Sequence, residues 1–572
     1  MIVAVIGGAI APVAAMEAVR YGDFSVVLDD RLTVGTALRT SERNPKNLTP
    51  ANAAVIGRSG TAVGGGNSSS GELNYGPGDV GSSVVKNLLS LKVNHQDGYG
   101  ALVQVLGWYD YTQGTQGVPF GNIPNGFAAG RPLSDKGFAD SAKFSNLMLK
   151  EAYVIGTTQI GDGDFTAKVG QQSLRWGPSF LIAGGLSDLD PKDFAAQARP
   201  GSQPDEVLVP FPAAVAKWNI TPKFSAQAFV QFEWKPDVLV PCGTYTATSD
   251  YSPQGCNHVS YASAYSNGAA MARGLVLGRQ DKTPGDGGQF GFGGNLRIDP
   301  ISTNLGGYFA HYNSRRGYTS ATRGATIGPS GRYGLDYPSG ISLLALTSET
   351  DLAPYNLKIT ADLTHSFNQP IGYSTTDGLA ALLAGAGPVG PVYQALAVGD
   401  SPPVRRFKLD QIDVGVRQGL GPLIGAGSSQ IDLQLGVKHV EHLPSPAIVR
   451  FGRSDLFGIG PGFGLNCANA IACSTAGFVT PWAWGYRLQA SITYLNLLPD
   501  LVVKPSLQFG QDVRGWAYDG AFNQGRMPVT LAIDVEYGPR TFGRLSWSAT
   551  PFGTYNAFED RAFVMVSLGR RF

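Results

Sequence analysis

The stretch KFSAQAFVQFEWK, residues 223–235, alternates with a period of two. Phe224, Ala226, Ala228, Val230, Phe232 and Trp234 fall on one side, and Ser225, Gln227, Gln231, Glu233 and Lys235 on the other. Successive side chains of a strand point to opposite faces, so this segment carries one apolar and one polar face. The pattern recurs in MPVTLAIDVEY (527–537), YNLKITADLTHSF (355–367) and LVVKPSLQF (501–509). In the first of these, Val529, Leu531, Ile533, Val535 and Tyr537 oppose Thr530, Asp534 and Glu536.

Scanning outward from these segments yields roughly eighteen strands, with sixteen as the alternative count. Their expected starts lie near residues 23, 83, 100, 147, 163, 206, 222, 287, 302, 339, 353, 403, 428, 478, 499, 525, 540 and 559. The links alternate. Tight ones such as QDGYG, IGDGD, NITPK, IDPIS, NLLPD and YGPRT carry turn residues. Long ones cover 39–82, 113–146, 175–205, 236–286, 315–338, 368–402 and 443–477. A soluble β-sandwich also has alternating strands, but nothing in it requires every second connection to be long. An antiparallel transmembrane β-barrel with short periplasmic turns and long extracellular loops does. An even strand count returns both ends of the barrel to the periplasmic side. Trp108 to Tyr111 and Trp482 to Tyr486 place aromatic clusters where an interfacial belt belongs.

Bulk composition agrees with this reading. Charged residues make up 15% of the 572, against about 25% in ordinary globular chains, while Gly (76) and aromatics (10%) are abundant. The net charge of +1, without a basic stripe, argues against nucleic acid as a partner. Beyond the first fifteen residues no apolar run reaches the length of a membrane helix. The opening MIVAVIGGAIAPVAAMEA, residues 1–18, reads as a signal peptide with small residues at Val13-Ala14-Ala15; lacking Lys or Arg ahead of its apolar run, it reads as truncated at the N-terminus. The mature part, 19–572, is expected to be a single barrel domain. A dinucleotide-binding opening is the weaker reading of VAVIGGAIA: the G-x-G-x-x-G spacing is absent and Pro12 falls where the helix should run.

No G-x-S-x-G, H-E-x-x-H, C-x-x-C or P-loop lysine motif occurs, so neither an enzyme nor a cofactor is expected. HVEH, His439 to His442, stands at a strand exit and reads as solvated rather than as a metal site, and the Gly-rich stretch 63–72 reads as a flexible loop. The four cysteines permit three pairings. Cys242 with Cys256 and Cys467 with Cys473 each fall inside one expected extracellular loop, which favours the two local disulfides and agrees with export.

Function is therefore sought in the lumen. Inward positions in the alternation include Lys168, Gln172, Glu233, Lys358, Asp362 and Arg487, with Asp432, Lys438, Lys504, Asp534, Glu536 and Arg544 among the further charges. Both signs are mixed, which favours a watery, cross-braced lining over a strong ion filter. Two loops suggest a constriction. LRWGPSFLIAGGLSDLDPKDF (174–194) opens on Arg175 and Trp176 and then turns apolar; TTDGLAALLAGAGPVGPVYQALAV (375–398) carries Leu379, Leu382, Leu383 and Tyr393. Long apolar segments outside a membrane are costly unless they pack or meet an apolar ligand. The second loop is therefore expected to capture a hydrophobic substrate, with packing between loops as the competing reading.

The stretches GELNYGPGDVGSSVVKNLLSLKVNHQDGYGALVQVLGWYDY, VGQQSLRWGPSF, AFVQFEWK followed by PCGTY, LDYPSGISLLALT, STTDGLAALL and WGYRLQASITY resemble the proteobacterial outer-membrane family called domain of unknown function thirteen-oh-two. The similarity runs over nearly the whole mature chain. It implies a porin-like outer-membrane channel or transporter of a Gram-negative bacterium that moves lipid-, steroid- or alkane-like small molecules. It also implies outer-membrane lipid as surroundings, a periplasmic lipoprotein-like partner and an inner-membrane transporter. A general diffusion porin, or an outer-membrane component of a lipid-type export assembly, is the alternative. The segment AFVMVSLGRRF (562–572) reads as the closing strand: Val564, Val566, Leu568 and Phe572 share the lipid face, and Phe572 resembles the aromatic signal for barrel insertion.

Overall fold

The computed structural model describes residues 19–64, 66–178, 180–465 and 467–572, and the expected signal peptide, 1–18, lies outside them. Eighteen strands form a closed antiparallel ring: Phe24–Arg39 (β1), Val80–His95 (β2), Tyr99–Asp110 (β3), Ser145–Ile160 (β4), Gly163–Gln172 (β5), Phe211–Asn219 (β6), Phe224–Gln231 (β7), Gln289–Ile298 (β8), Thr303–Tyr312 (β9), Ile341–Leu352 (β10), Leu357–Ile371 (β11), Arg405–Gly419 (β12), Ser428–Val440 (β13), Trp482–Leu495 (β14), Leu501–Arg514 (β15), Val529–Tyr537 (β16), Thr541–Ala549 (β17) and Phe563–Arg571 (β18). A short strand, Val19–Tyr21, folds back on the start of β1. Each strand pairs with its neighbours in the chain. Closure comes from β18 against β1, running in register from Arg31 opposite Arg571 to Arg39 opposite Phe563, with the Phe572 N–H donating to the Asp30 carbonyl at 2.9 Å. Every strand start falls within five residues of its expected position.

Connections alternate as the turn chemistry predicts. Segments such as 96–98, 161–162, 220–223 and 538–540 close one end, and 40–79, 111–144, 173–210, 232–288, 313–340, 372–404 and 441–481 rise from the other. Outward faces are apolar: Leu344 and Leu346 on β10, Leu433 and Leu435 on β13, and Val566 and Leu568 on β18 are exposed. Bare apolar columns of this kind on a ring without an edge suit lipid, where every backbone polar group must be paired within the protein. No described helix is long and apolar enough to cross a membrane; the crossing elements are strands.

The long loops pack on one another above the ring. One cluster gathers Tyr75, Phe138, Phe144 and Tyr245 around the disulfide Cys242–Cys256 and touches Phe563 of β18. Cys467 likewise lies against Cys473, so the two cysteine pairs that stand close enough for disulfides are the local ones. In loop 372–404, Thr375–Ala384 (α1) and Gly390–Gln394 (α2) form two short helices. Leu382 and Tyr393 are fully buried with Ala381 and Val389 against Tyr251, Val259, Leu277 and Tyr333 from neighbouring loops, and Leu379 and Leu383 pack at the edge of this cluster. The Arg450 guanidinium, also fully buried, donates through Nε to Asp377 in the first turn of α1 at 2.8 Å and pins the helix to loop 441–481. The apolar residues expected to capture a ligand are thus committed largely to packing between loops.

Candidate functional site

Loop 173–210 does not stand outside the barrel; it enters the lumen and crosses it. Its start is set by Asp190, whose carboxylate accepts the N–H of Leu174 at 2.7 Å and of Arg175 at 2.8 Å. This holds Arg175 at φ 52°, a conformation that L side chains other than Asn and Asp seldom adopt. Trp176 is then driven against the wall, its indole edge-on to Phe229 of β7 at 4.8 Å between centroids and tilted against Tyr308 of β9 at 5.6 Å. Strained backbone persists only where surrounding contacts over-determine it, and such residues cluster at functional sites.

The loop next reaches the wall made by β11, β12 and β13. The Leu181 N–H donates to Gln434 Oε1 at 2.6 Å, and Lys438 Nζ donates to the Ala183 carbonyl at 2.7 Å. At Gly184 the backbone takes φ 112°, which glycine alone adopts without strain, and the chain passes close under the ends of the Gln411 and Lys438 side chains. The chain then returns to the opposite wall. Arg199 stacks on Trp108 at 4.0 Å, Arg31 of β1 binds Asp205 and Glu206, each at 3.0 Å, and Lys86 of β2 binds Glu206 at 2.5 Å. Lys150 of β4 donates to the Glu206 and Leu208 carbonyls at 3.0 and 2.7 Å. A loop tied by ion pairs and hydrogen bonds at both walls is a fixed partition.

Between this partition and the wall formed by β14, β16, β17 and β18 lies a cavity of about 480 Å³. Phe180, Leu181, Ile182, Tyr318 and Met565 give it apolar surface, and Arg175, Arg316, Arg487 and Arg544 give it cations. The last two are neutralised: Arg487 meets Asp512 at 2.7 Å and Arg544 meets Asp534 at 2.7 Å. Arg175, Arg199, Arg315 and Arg316 have no carboxylate at ion-pair distance among the described residues. Burial pulls Arg315 down to about 10, whereas for Arg316 the opposing effect of burial is outweighed by Asp519, Tyr318, Asp188 and Asp237, which hold its charge firmly. Burial also raises the carboxyls of Asp188 and Asp237 above the ordinary range. The result is an amphipathic slot, apolar along the loop and cationic at intervals.

Most residues expected in the lumen are there. Lys168 faces inward with its ammonium 4.5 Å from the Tyr153 ring, Gln172 is fully buried and donates to the Ala213 carbonyl at 2.9 Å, and Arg175 lines the cavity. Asp362 is buried beneath Gly185 of the loop, and Lys358 pairs with Glu349 at 2.7 Å nearer the short-turn end. Glu233 is a correction: β7 ends at Gln231, and Glu233 sits at the rim, half exposed and paired with Lys235. Past Gln231 the backbone leaves the ladder, the Trp234 N–H donating to the Asp286 carboxylate at 3.0 Å, although the alternation of side chains runs on. The anchors Arg31, Lys86, Lys150, Asp205 and Glu206, and the cations Arg199, Arg315 and Arg316, carry no motif; the inward strand positions of Arg31, Lys86 and Lys150 are the one signal that marks any of them.

A lipid-facing ring of eighteen strands, partitioned by a loop that leaves a lined slot, defines an outer-membrane channel-type β-barrel. The chain belongs to the family described as protein of unknown function (DUF1302), which it matches over residues 1–572. Among solved structures it is similar to OccK1 (OpdK) of Pseudomonas aeruginosa, at 9% identity and a TM-score of 0.40 over 95% of this chain and 98% of that one. OccAB1 of Acinetobacter baumannii matches at 9% identity and a TM-score of 0.42 over 96% of both chains. The outer-membrane channel DcaP of A. baumannii matches at 7% identity and 0.35 over 97% of this chain and all of that one. No curated protein matches it in sequence.

Proposed function

We propose that this barrel passes hydrophobic or amphipathic small molecules, of lipid-, steroid- or alkane-like character, through the slot beside loop 173–210. The observation that carries the reading is the loop's own chemistry: Phe180, Leu181 and Ile182 line a cavity of about 480 Å³. Sites for small apolar ligands are concave, largely apolar and fitted with a few placed polar groups, and their volumes are about 300–1,000 Å³. Arg175 and Arg316 supply such groups at the same slot. A general diffusion porin is the second reading, favoured by the neutralised pairs Arg487–Asp512 and Arg544–Asp534, which suit a watery lining of weak selectivity.

Single-channel recording in planar bilayers, combined with uptake into proteoliposomes, separates the two. The proposal expects small, brief currents and saturable uptake of an apolar probe that falls when Phe180, Leu181 and Ile182 are replaced together by Ser. A steady large current, with uptake unaffected by that replacement, would establish the diffusion porin instead.

A further inference from the structure

Outside the lumen, one row of side chains has no role in the channel. His365 on β11, Asp410 on β12, His439 on β13 and Trp482 on β14 stand directly opposite one another across four adjacent strands. The outward column of β12 runs Arg406, Lys408, Asp410 and then Ile412, Val414, Val416, of which the last three are exposed. On β13 the apolar column Ile431, Leu433, Leu435 likewise leads up to His439, with Glu441 one step further. The row therefore lies at the upper border of the apolar band, on the long-loop side. Aromatic residues commonly occupy that level; two carboxylates and two imidazoles need a reason.

The donors converge. His365 Nδ1 lies 2.7 Å from Asp410 Oδ1, and one donor atom from each of His365, Asp410 and Glu441 lies within 4.8 Å of the other two. His439 Nδ1 lies 3.5 Å from the other Asp410 oxygen, Oδ2. Both rings are held by aromatic neighbours: Phe367 packs edge-on to His365 at 4.6 Å, and Trp482 stacks on His439 at 4.0 Å. Glu441 is held by its N–H, which donates to the Lys408 carbonyl at 3.0 Å, and the chain leaves at His442 with φ 53°. Among the described residues no ammonium or guanidinium reaches Asp410 or Glu441. The Arg406 guanidinium is turned to the Ser339 and Asn368 carbonyls at 2.6 and 3.3 Å. Two carboxylates drawn together repel one another, and a bound cation relieves that repulsion.

We infer that His365, Asp410 and Glu441 form a binding site for one divalent cation of the zinc class, with His439 positioning Asp410 through its second oxygen. One imidazole and two carboxylates are a donor set for such an ion, their charge balances it, and the imidazole disfavours magnesium and calcium, which take oxygen ligands. His439, 3.5 Å from the second oxygen of the ligating carboxylate, is placed to support it from the outer shell. The reading of HVEH as merely solvated is replaced: Glu441 is a ligand, His439 its neighbour's support, and His442 stands apart.

The test uses the full barrel in detergent, free of any histidine tag and stripped with a chelator. Co²⁺ is titrated by its visible absorption and then displaced with Zn²⁺. One equivalent of Co²⁺ is expected, displaced by Zn²⁺ and not by Mg²⁺. Affinity should fall at least about tenfold in His365→Gln, Asp410→Asn and Glu441→Gln, and by a similar order in His439→Gln. His311→Gln should bind as the parent does, and single-channel currents should not change in any variant, because the site lies outside the lumen. Heat-modified gel mobility confirms that each variant is folded. Absence of a stoichiometric site in the parent, unchanged binding in the His365→Gln/Asp410→Asn double variant, or displacement by equimolar Mg²⁺ would overturn the assignment.

Discussion

Lys86 Nζ donates to Glu206 Oε2 at 2.5 Å with both side chains almost wholly buried, which ties the barrel wall to a loop 120 residues further along the chain. Arg31 shares the same carboxylate at 3.0 Å. Removing one partner of a buried pair leaves a charge uncompensated and costs about 3–5 kcal/mol. Glu206→Gln, which weakens both pairs, should release the return limb of loop 173–210 and widen the slot. Single-channel conductance should rise and become noisier, and Lys86→Met should show the same change to a smaller degree. Unaltered current in Glu206→Gln would mean that the partition stands without this anchor.

Arg175 combines a charge without a partner carboxylate and a φ of 52°. Arg175→Gly removes the charge and relieves the strain together, so the barrel should gain about 0.5–1 kcal/mol of stability while the lumen becomes less anion-preferring. Reversal potentials in a salt gradient report the second effect, and thermal unfolding in detergent the first.

Asp188 and Asp237 face the slot near Arg316, Lys192, Lys438 and Asp519, and burial raises both carboxyls. A carboxyl raised on folding binds its proton more tightly in the folded protein. Its contribution therefore favours the folded state below its unfolded range and is lost as the pH rises through its folded value. Asp519 is shifted the other way: Lys438 and Arg316 overcome the effect of burial and hold it below the ordinary range, so its contribution is lost only as the pH falls through that depressed value. As the pH falls toward the carboxylate range, Asp188 and Asp237 should take up protons before ordinary carboxyls do and give the slot positive charge. Anion selectivity should increase as the pH is lowered, and the Asp188→Asn/Asp237→Asn double variant should show the low-pH selectivity throughout.

Leu382 in α1 and Tyr393 in α2 are fully buried among other loops. Leu382→Ala should cost about 2–5 kcal/mol locally, and protease should cut loop 372–404 faster. Uptake of an apolar probe should change little, because these side chains are already covered. Uptake that falls while protease resistance is retained would restore a capturing role to the loop.

The barrel was legible because its signal is local. Period-two alternation and turn residues are properties of ten-residue windows, and they located strands such as β11 and β16 to within a few residues. The inward placing of Lys168, Asp362 and Arg487 followed from the same alternation. Glu233 failed where alternation outlasted the backbone ladder. The slot was only partly legible. Arg175 and Trp176 stood out by composition, but the path of their loop is decided by contacts between distant segments, such as Lys86 with Glu206 and Lys438 with Ala183, which no local pattern encodes.

The pairing of β1 with β18 carries a consequence for how the molecule comes into being. It joins Arg31 to Arg571 and Arg39 to Phe563, so it is the ring's longest-range contact. The entropy of closing so long a loop grows only as the logarithm of its length. The obstacle lies elsewhere: until closure, an incomplete sheet of β1 to β17 presents two rows of unpaired N–H and C=O groups that hydrocarbon cannot satisfy. The finished ring has no such rows, so closure itself is what makes the sheet compatible with hydrocarbon.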